Sequence, residues 1–330
     1  MTGPKDIAQR VIGGAAMSSL ASGRLGRELR RRVNIVYYHY VGEPTPFYAS
    51  FDEGMTLSRL DEDLAGLGKR FRFASIDNVI EGGEARDSDL PLLAVTFDDG
   101  FDLLATGVAD VLEEHGVRGT SFLITSCLDN RNLMWRNKLS ALRAMSPERE
   151  LVSAFNDAVA GLGLPPVQAA GEIFAASYAW PAGAKDELAD AIWASCPVPG
   201  LTTFLARHRP YFDDAGLRDW LSRGHSIGLH TRTHPRCDRL DANEIEREIV
   251  EPAAELRRRF GLERLWFSYP FGSRLPRAAE EQLVEEGVVD CALGIRGSAL
   301  RGTPPHRLER ASAESGLGWT LYGRAMLGSS

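Results

Sequence analysis

The sequence predicts an α/β protein built on a parallel sheet, open or closed into a barrel, with a helical segment inserted into it. Three observations carry this expectation. Short apolar runs of strand length recur at 33–38, 92–97, 121–124, 226–230, 265–269 and 288–293. Helical patterns fall between several of them, and strand–helix–strand alternation implies parallel pairing. Residues 128–211 break this rhythm with helix-like composition and few strand signals.

Taken in chain order, residues 1–32 form a basic arm, with Lys5, Arg10, Arg24, Arg27, Arg30, Arg31 and Arg32 against Asp6 and Glu28. Its apolar positions are interrupted by Gly, Ser and Arg, so no signal-peptide core is legible, and no stretch elsewhere is long enough to span a bilayer. A cytoplasmic protein is expected. The arm reads first as a surface helix or leader, and second as a peripheral contact with the anionic inner face of the membrane. After the strand at 33–38, residues 56–67 place Leu57, Leu60, Leu64 and Leu67 at helical spacing. A second helix over 105–115 stops at Gly116, and a third over 243–260 ends at Gly261, a C-terminal signal. The barrel or sheet is thus expected from 33–127 and 212–330, with 128–211 as a helical insertion. In the insertion, Leu139, Leu142 and Met145 share one stripe, and Gly161, Gly163, Pro165 and Pro166 punctuate the rest.

The 330 residues carry a formal net charge of -7, which argues against general nucleic-acid binding. Cys127, Cys196, Cys237 and Cys291 form no CxxC pair and read as reduced, buried thiols rather than a zinc knot.

Two stretches carry the chemistry. Thr96-Phe97-Asp98-Asp99-Gly100 closes one apolar strand, and Leu229-His230-Thr231-Arg232-Thr233-His234 closes another. Alone, an Asp-Asp-Gly is commonly a strand-ending turn, and two histidines four apart are commonly incidental. Together, one carboxylate and two imidazoles make a ligand set for a divalent transition metal with open positions, leaving the other carboxylate as a base.

These stretches resemble the first and second motifs of the polysaccharide deacetylases, carbohydrate esterase family four, also called NodB-homology proteins. Ser268-Tyr269-Pro270-Phe271-Gly272 resembles the third. The resemblance covers most of 33–127 and 212–320 and implies a distorted (β/α) barrel of NodB type. It implies a divalent metal on Asp99, His230 and His234, zinc first, with cobalt, nickel or iron also fitting. It implies Asp98 as catalytic base and the backbone N–H of Phe271 as oxyanion donor, with Pro270 fixing that turn.

Two positions depart from the family pattern. The histidine that serves as acid in most members, within a Leu-x-His motif, has only a poor match in His306. Val36-Tyr37-Tyr38-His39 resembles instead the Tyr-His motif opening a circularly permuted subgroup, so His39 is the preferred acid. The arginine that tethers the base near the third motif is replaced by Trp266, Phe267 and Ser268, leaving Arg310 or Arg307 to take its place. His225 lies on the strand face opposite His230 and reads as structural. Trp135, Trp180, Trp193 and Trp220 read mostly as core, and the stretch Trp135-Arg136-Asn137-Lys138, polar on one side and soon after the strand at 121–124, is the most site-like. Arg131, Arg136 and Lys138 are candidates for a substrate phosphate, against the commoner reading of a solvated basic face.

The resulting expectation is a metal-dependent N-deacetylase acting on an N-acetylated sugar, glycolipid or oligosaccharide of a cell-envelope or exopolysaccharide precursor. The alternatives are another amidase or cyclic-amide hydrolase on the same fold, and a sugar-binding protein that keeps the metal as a structural element.

Overall fold

Parallel strands covered on both faces are near-continuous apolar runs, and the predicted strands fold accordingly. The structure, a computed structural model, describes residues 23–51, 55–82 and 90–314. Six parallel strands, β1 (Ile35–Tyr38), β2 (Leu92–Phe97), β3 (Thr120–Leu123), β4 (Ser226–Leu229), β5 (Trp266–Ser268) and β6 (Cys291–Gly294), lie side by side in chain order. Two further strands, β7 (Leu308–Glu309) and β8 (Ala311–Ser312), are separated by Arg310 alone. β7 pairs with β6 and β8 pairs with β1, all in parallel, so the last stretch of chain meets both edges and the sheet nearly closes into a barrel.

Strand alternation sorts side chains onto two faces. Val36, Tyr38, Val95, Phe97, Leu123 and Leu229 join a core with the surrounding helices, including Leu60, Leu64, Leu112 and Leu256. Ile35, Ala94, Phe122, Trp266 and Leu293 form a separate cluster on the other face. Gly228 leaves room there: a Cβ on it would lie 2.5 Å from the Phe122 ring and 2.8 Å from the Trp266 carbonyl oxygen.

The helices follow their sequence signals. Leu57–Gly68 starts at Thr56, whose side chain accepts the Arg59 N–H. The helix expected over 243–260 runs as Ala242–Ile245, a π turn Glu246–Val250 and Glu251–Phe260, ending at Gly261 in the left-handed region. Pro252, which has no N–H for the carbonyl four residues back, follows the widened turn. The helix expected from 105 opens as another π turn, Leu104–Val108.

Some boundaries differ. The run at 33–38 breaks at Asn34, whose amide donates to the carbonyls of Leu29 and Leu92. Arg32–Val33 then pairs antiparallel with Ala299–Leu300. The run at 288–293 becomes strand only from Cys291, because Gly287 at φ +70° first turns the chain out of the helix Arg277–Glu285. β7 and β8 are two residues each, too short for any periodicity to mark them.

Between β3 and β4 the chain forms helices, notably Trp135–Met145, Glu148–Val159, Lys185–Ser195 and Leu201–His208. Their core of Trp135, Phe155, Trp180 and Phe204 is continuous with Tyr40, Phe47 and Phe101. Those three residues lie in the loops leaving β1 and β2, so the helices pack over the C-terminal ends of these strands. All four cysteines are buried and free. Of the basic arm, residues 1–22 lie outside the described residues; Gly23–Arg30 is a helix. Among the described residues no helix is long and apolar enough to cross a membrane.

Candidate active site

Three strand ends converge on one pocket. β2 ends at Phe97, and the Asp98 N–H still donates to the Tyr38 carbonyl at 2.9 Å, keeping Asp98 in the sheet. Asp99 and Gly100 then turn the chain at φ 72° and 75°. After β4 the His230 N–H donates to the Leu123 carbonyl at 2.9 Å. The chain next coils tightly, with Thr231 at φ 66° and His234 at φ 63°, and the Thr231 hydroxyl accepts the His234 N–H. After β5, Phe271 sits at φ 58° in the turn Pro270–Gly272. Left-handed backbone is costly for such residues, on the order of 1–3 kcal/mol each. Its recurrence at Asp99, Thr231, His234 and Phe271 means that the surrounding packing holds this geometry against local preference.

The turns bring Asp99, His230 and His234 together, all buried. Asp99 Oδ1 lies 3.7 Å from His230 Nε2 and 3.6 Å from His234 Nε2. An ion about 2.0–2.2 Å from each ligand in tetrahedral geometry separates ligand atoms by about 3.4 Å, so the set fits a transition metal with little movement. The His230 Nδ1–H donates to the Ser268 carbonyl at 2.7 Å, leaving Nε2 as the lone-pair nitrogen. Asp99 Oδ1 is buried and has no hydrogen-bond partner. Such an orphaned acceptor is open to a cation or a water. Burial pushes the Asp99 carboxyl up and both imidazoles down, so the chain alone disfavours charge on these groups.

Asp98 is clamped from the other side. Arg310 donates from Nη1 to Asp98 Oδ1 at 2.7 Å and from Nη2 to Oδ2 at 2.8 Å. The same guanidinium donates to Thr96 Oγ1 at 3.1 Å and Ser268 Oγ at 2.5 Å. It lies over the rings of Tyr37 and Phe122, 4.8 and 5.0 Å from their centroids. Burial raises the Asp98 carboxyl, but the guanidinium, helped by His230, overcomes this and holds it well below the usual carboxylate range. Of the two arginines offered by the sequence, Arg310 meets Asp98, whereas Arg307 pairs with Glu280.

His39, just beyond β1, lines the same pocket. Its backbone N–H donates to Glu314 at 2.7 Å, and its Nδ1 lies 3.0 Å from the same carboxylate. Burial lowers the imidazole pKa, but Glu314 outweighs burial and lifts it to about 9. His306 instead lies 3.7 Å from Glu281, which is not among the pocket residues. The Phe271 ring stands edge-on to His234 at 4.7 Å, and its turn spends the N–H groups of Gly272 and Ser273 on the carbonyls of Tyr269 and Pro270. The pocket, about 300 Å³, is walled further by Tyr48, Phe51 and Tyr178, a size at the lower end for small-molecule sites.

Other candidates fall elsewhere. Trp135 is fully buried and donates its indole N–H to the His234 carbonyl at 3.1 Å; it braces the histidine turn and offers no face to a sugar. Lys138 is also fully buried, paired with Asp186 at 3.2 Å and Asp190 at 2.7 Å, so it is closed to a substrate phosphate. Arg131 donates to the carbonyls of Leu128 and Thr125 and is not among the pocket residues. His225 stacks on Trp220 at 4.0 Å and accepts the Gly119 N–H on Nδ1, a structural role. Sequence reasoning missed Glu314, which follows a strand too short to recognise. Of the stretch Trp135-Arg136-Asn137-Lys138, Arg136 and Asn137 line the pocket.

The sequence model described as polysaccharide deacetylase matches residues 200–286, the segment holding both metal-type histidines and the Tyr-Pro-Phe-Gly turn. No curated protein matches in sequence. Among solved structures, the Streptococcus pyogenes deacetylase PplD, determined with acetate, is similar with a TM-score of 0.55 at 12% identity, covering 90% of this chain and 97% of that one. IcaB from Ammonifex degensii is similar with a TM-score of 0.53 at 15% identity, covering 88% and 96%. A de-N-acetylase from Aggregatibacter actinomycetemcomitans is similar with a TM-score of 0.50 at 13% identity, covering 85% and 94%. Residues 200–286 are thus similar to the polysaccharide deacetylase model, and the barrel as a whole is similar in fold to these solved deacetylases.

Proposed function

We propose that the protein is a metal-dependent N-deacetylase that removes acetyl from an N-acetylated sugar, glycolipid or oligosaccharide of a cell-envelope or exopolysaccharide precursor. The observation that carries this reading is the orphaned Asp99 Oδ1 between two imidazoles, beside an Asp98 held ionised by Arg310. Asp99, His230 and His234 would hold the ion, zinc before cobalt, nickel or iron. When bound, it supplies Lewis acidity to the acetamide carbonyl and lowers the pKa of a water.

The remaining steps belong to side chains of this protein. Asp98 takes the proton of the attacking water as general base, and Arg310 keeps that carboxylate deprotonated and correctly turned. The Phe271 N–H donates to the oxygen that gains charge, from a backbone already held in the strained conformation that aims it. His39, protonated through its pairing with Glu314, gives its proton to the departing nitrogen. Its strand comes first in sequence, consistent with a permuted arrangement. The helices of 128–211 crowd the C-terminal strand ends, which favours a short or terminal sugar over the middle of a long polymer. A cytoplasmic location, with the basic arm at the inner membrane face, completes the proposal.

The test is acetate release from a panel of N-acetylated sugars and amides, with and without a chelator. Turnover that requires a metal and falls by roughly 10²–10⁴ in Asp98→Asn supports the reading. Undiminished turnover in the chelator, or in metal-loaded Asp98→Asn, would overturn it.

A further inference from the structure

One charge in the pocket has no counterpart. Asp98 is matched by Arg310 and Glu314 by His39. Asp99 is the carboxylate of the candidate metal set. Arg136 also lines this pocket, yet among the described residues its guanidinium makes no hydrogen bond and no ion pair, and its Nε is buried without a partner. It is held instead among aromatic faces, 4.4 Å from the Phe51 centroid and 5.2 Å from that of Phe271. The adjacent pocket residue, Asn137, is fully buried, and both its amide nitrogen and its amide oxygen lack partners. A buried amide with neither end satisfied costs free energy unless something else meets it. Both residues occupy the first turn of the helix Trp135–Met145, which contains no acidic side chain. Its backbone N–H groups and dipole favour an anion at that end.

We propose that Arg136 and Asn137 form an anion subsite beside the acetyl-removal site, and that the substrate is an N-acetylated sugar bearing a phosphoryl group. This rests on the deacetylase reading and extends it to the substrate class. The phosphoryl oxygens accept from the Arg136 guanidinium and the Asn137 amide nitrogen, satisfying donors that are otherwise orphaned. Phe51 and Phe271 fix the guanidinium plane before the substrate arrives, so little side-chain entropy is lost on binding. With a divalent ion on Asp99 and two neutral imidazoles, the pocket as a whole is positive. A neutral glycan would leave that field unused.

Two experiments separate this inference from the reading it rests on. The first compares kcat/KM for acetate release from N-acetylglucosamine, its 1-phosphate, a nucleotide-linked and a polyprenyl-phosphate-linked N-acetyl sugar. Phosphorylated substrates are expected to exceed the neutral sugar by about tenfold to a hundredfold, the worth of a charge-assisted hydrogen bond. The ratio should fall toward one in Arg136→Gln and recover in part in Arg136→Lys. Which phosphorylated substrate leads identifies the source of the phosphoryl group. Equal kcat/KM for neutral and phosphorylated sugars, or a ratio untouched by Arg136→Gln, overturns the subsite and leaves the deacetylase reading standing. The second experiment titrates glucosamine 1-phosphate into chelator-treated protein, where no metal can attract phosphate. Binding by the wild type that weakens at least tenfold in Arg136→Gln and in Asn137→Ala supports the subsite even if no acetate is ever released. Equal binding by wild type and Arg136→Gln overturns it.

Discussion

Replacing Arg310 by Met should destabilise the barrel and do so through Asp98. The substitution keeps much of the apolar stem and deletes a guanidinium that bonds Asp98 twice, at 2.7 and 2.8 Å, and also Thr96 and Ser268. Asp98 is only 2% exposed, so it is left as a largely buried carboxylate without its counter-charge. Breaking a buried pair from one side costs about 3–5 kcal/mol, a large share of the roughly 5–15 kcal/mol that holds a domain folded. In the wild type the Asp98 carboxyl is held below its ordinary value, so its contribution is full above the unfolded pKa and is lost as pH falls through the lowered one. Without Arg310, burial dominates and raises that pKa. The penalty is then complete at neutral pH and shrinks as acidification protonates Asp98. Urea unfolding of chelator-treated protein, followed by tryptophan fluorescence at about pH 7.5 and about pH 5, reads both effects. Asp98→Asn in the Arg310→Met background should recover much of the loss, because it removes the stranded charge. A loss below about 1 kcal/mol, or single-variant costs that simply add in the double variant, would refute the argument.

Three further outcomes follow from the geometry. His230→Ala and His234→Ala should each abolish stoichiometric binding of zinc or cobalt in equilibrium dialysis while leaving far-UV circular dichroism intact; retained one-to-one binding in both would mean the ion sits elsewhere. His39→Ala should reduce amide hydrolysis by about 10²–10⁴ but spare an activated aryl acetate, whose leaving group needs no proton; equal losses on both substrates would argue against an acid role. Burial lowers the His225 pKa to about 4, and as an acceptor for the Gly119 N–H this imidazole must be neutral. The folded state therefore binds fewer protons than the unfolded one, and stability should fall from about pH 6.5 toward pH 4 by up to about 3 kcal/mol; His225→Asn should flatten that slope in acid unfolding curves, and an unchanged slope would clear His225 of the effect.

The parallel α/β architecture and the groups able to do chemistry are written locally in the chain. Apolar runs such as 92–97 are local signals, because a strand buried on both faces has no polar side to show. The pairs Asp98–Asp99 and His230–His234 are legible for a similar reason: each closes such a run, and few residue types can ligate a metal. What those groups pair with is settled only by folding. Arg310 stands 212 positions from Asp98 and Glu314 stands 275 from His39, and they meet only because the last strands join both edges of the barrel. No local pattern encodes contacts at such separations. The same holds for the basic residues of the first inserted helix, Trp135–Met145. Lys138 and Arg136 are two positions apart, yet packing seals Lys138 against Asp186 and Asp190 and turns Arg136 into the pocket. A helix places neighbouring residues on different faces, and only the fold determines which face meets the core and which meets the substrate.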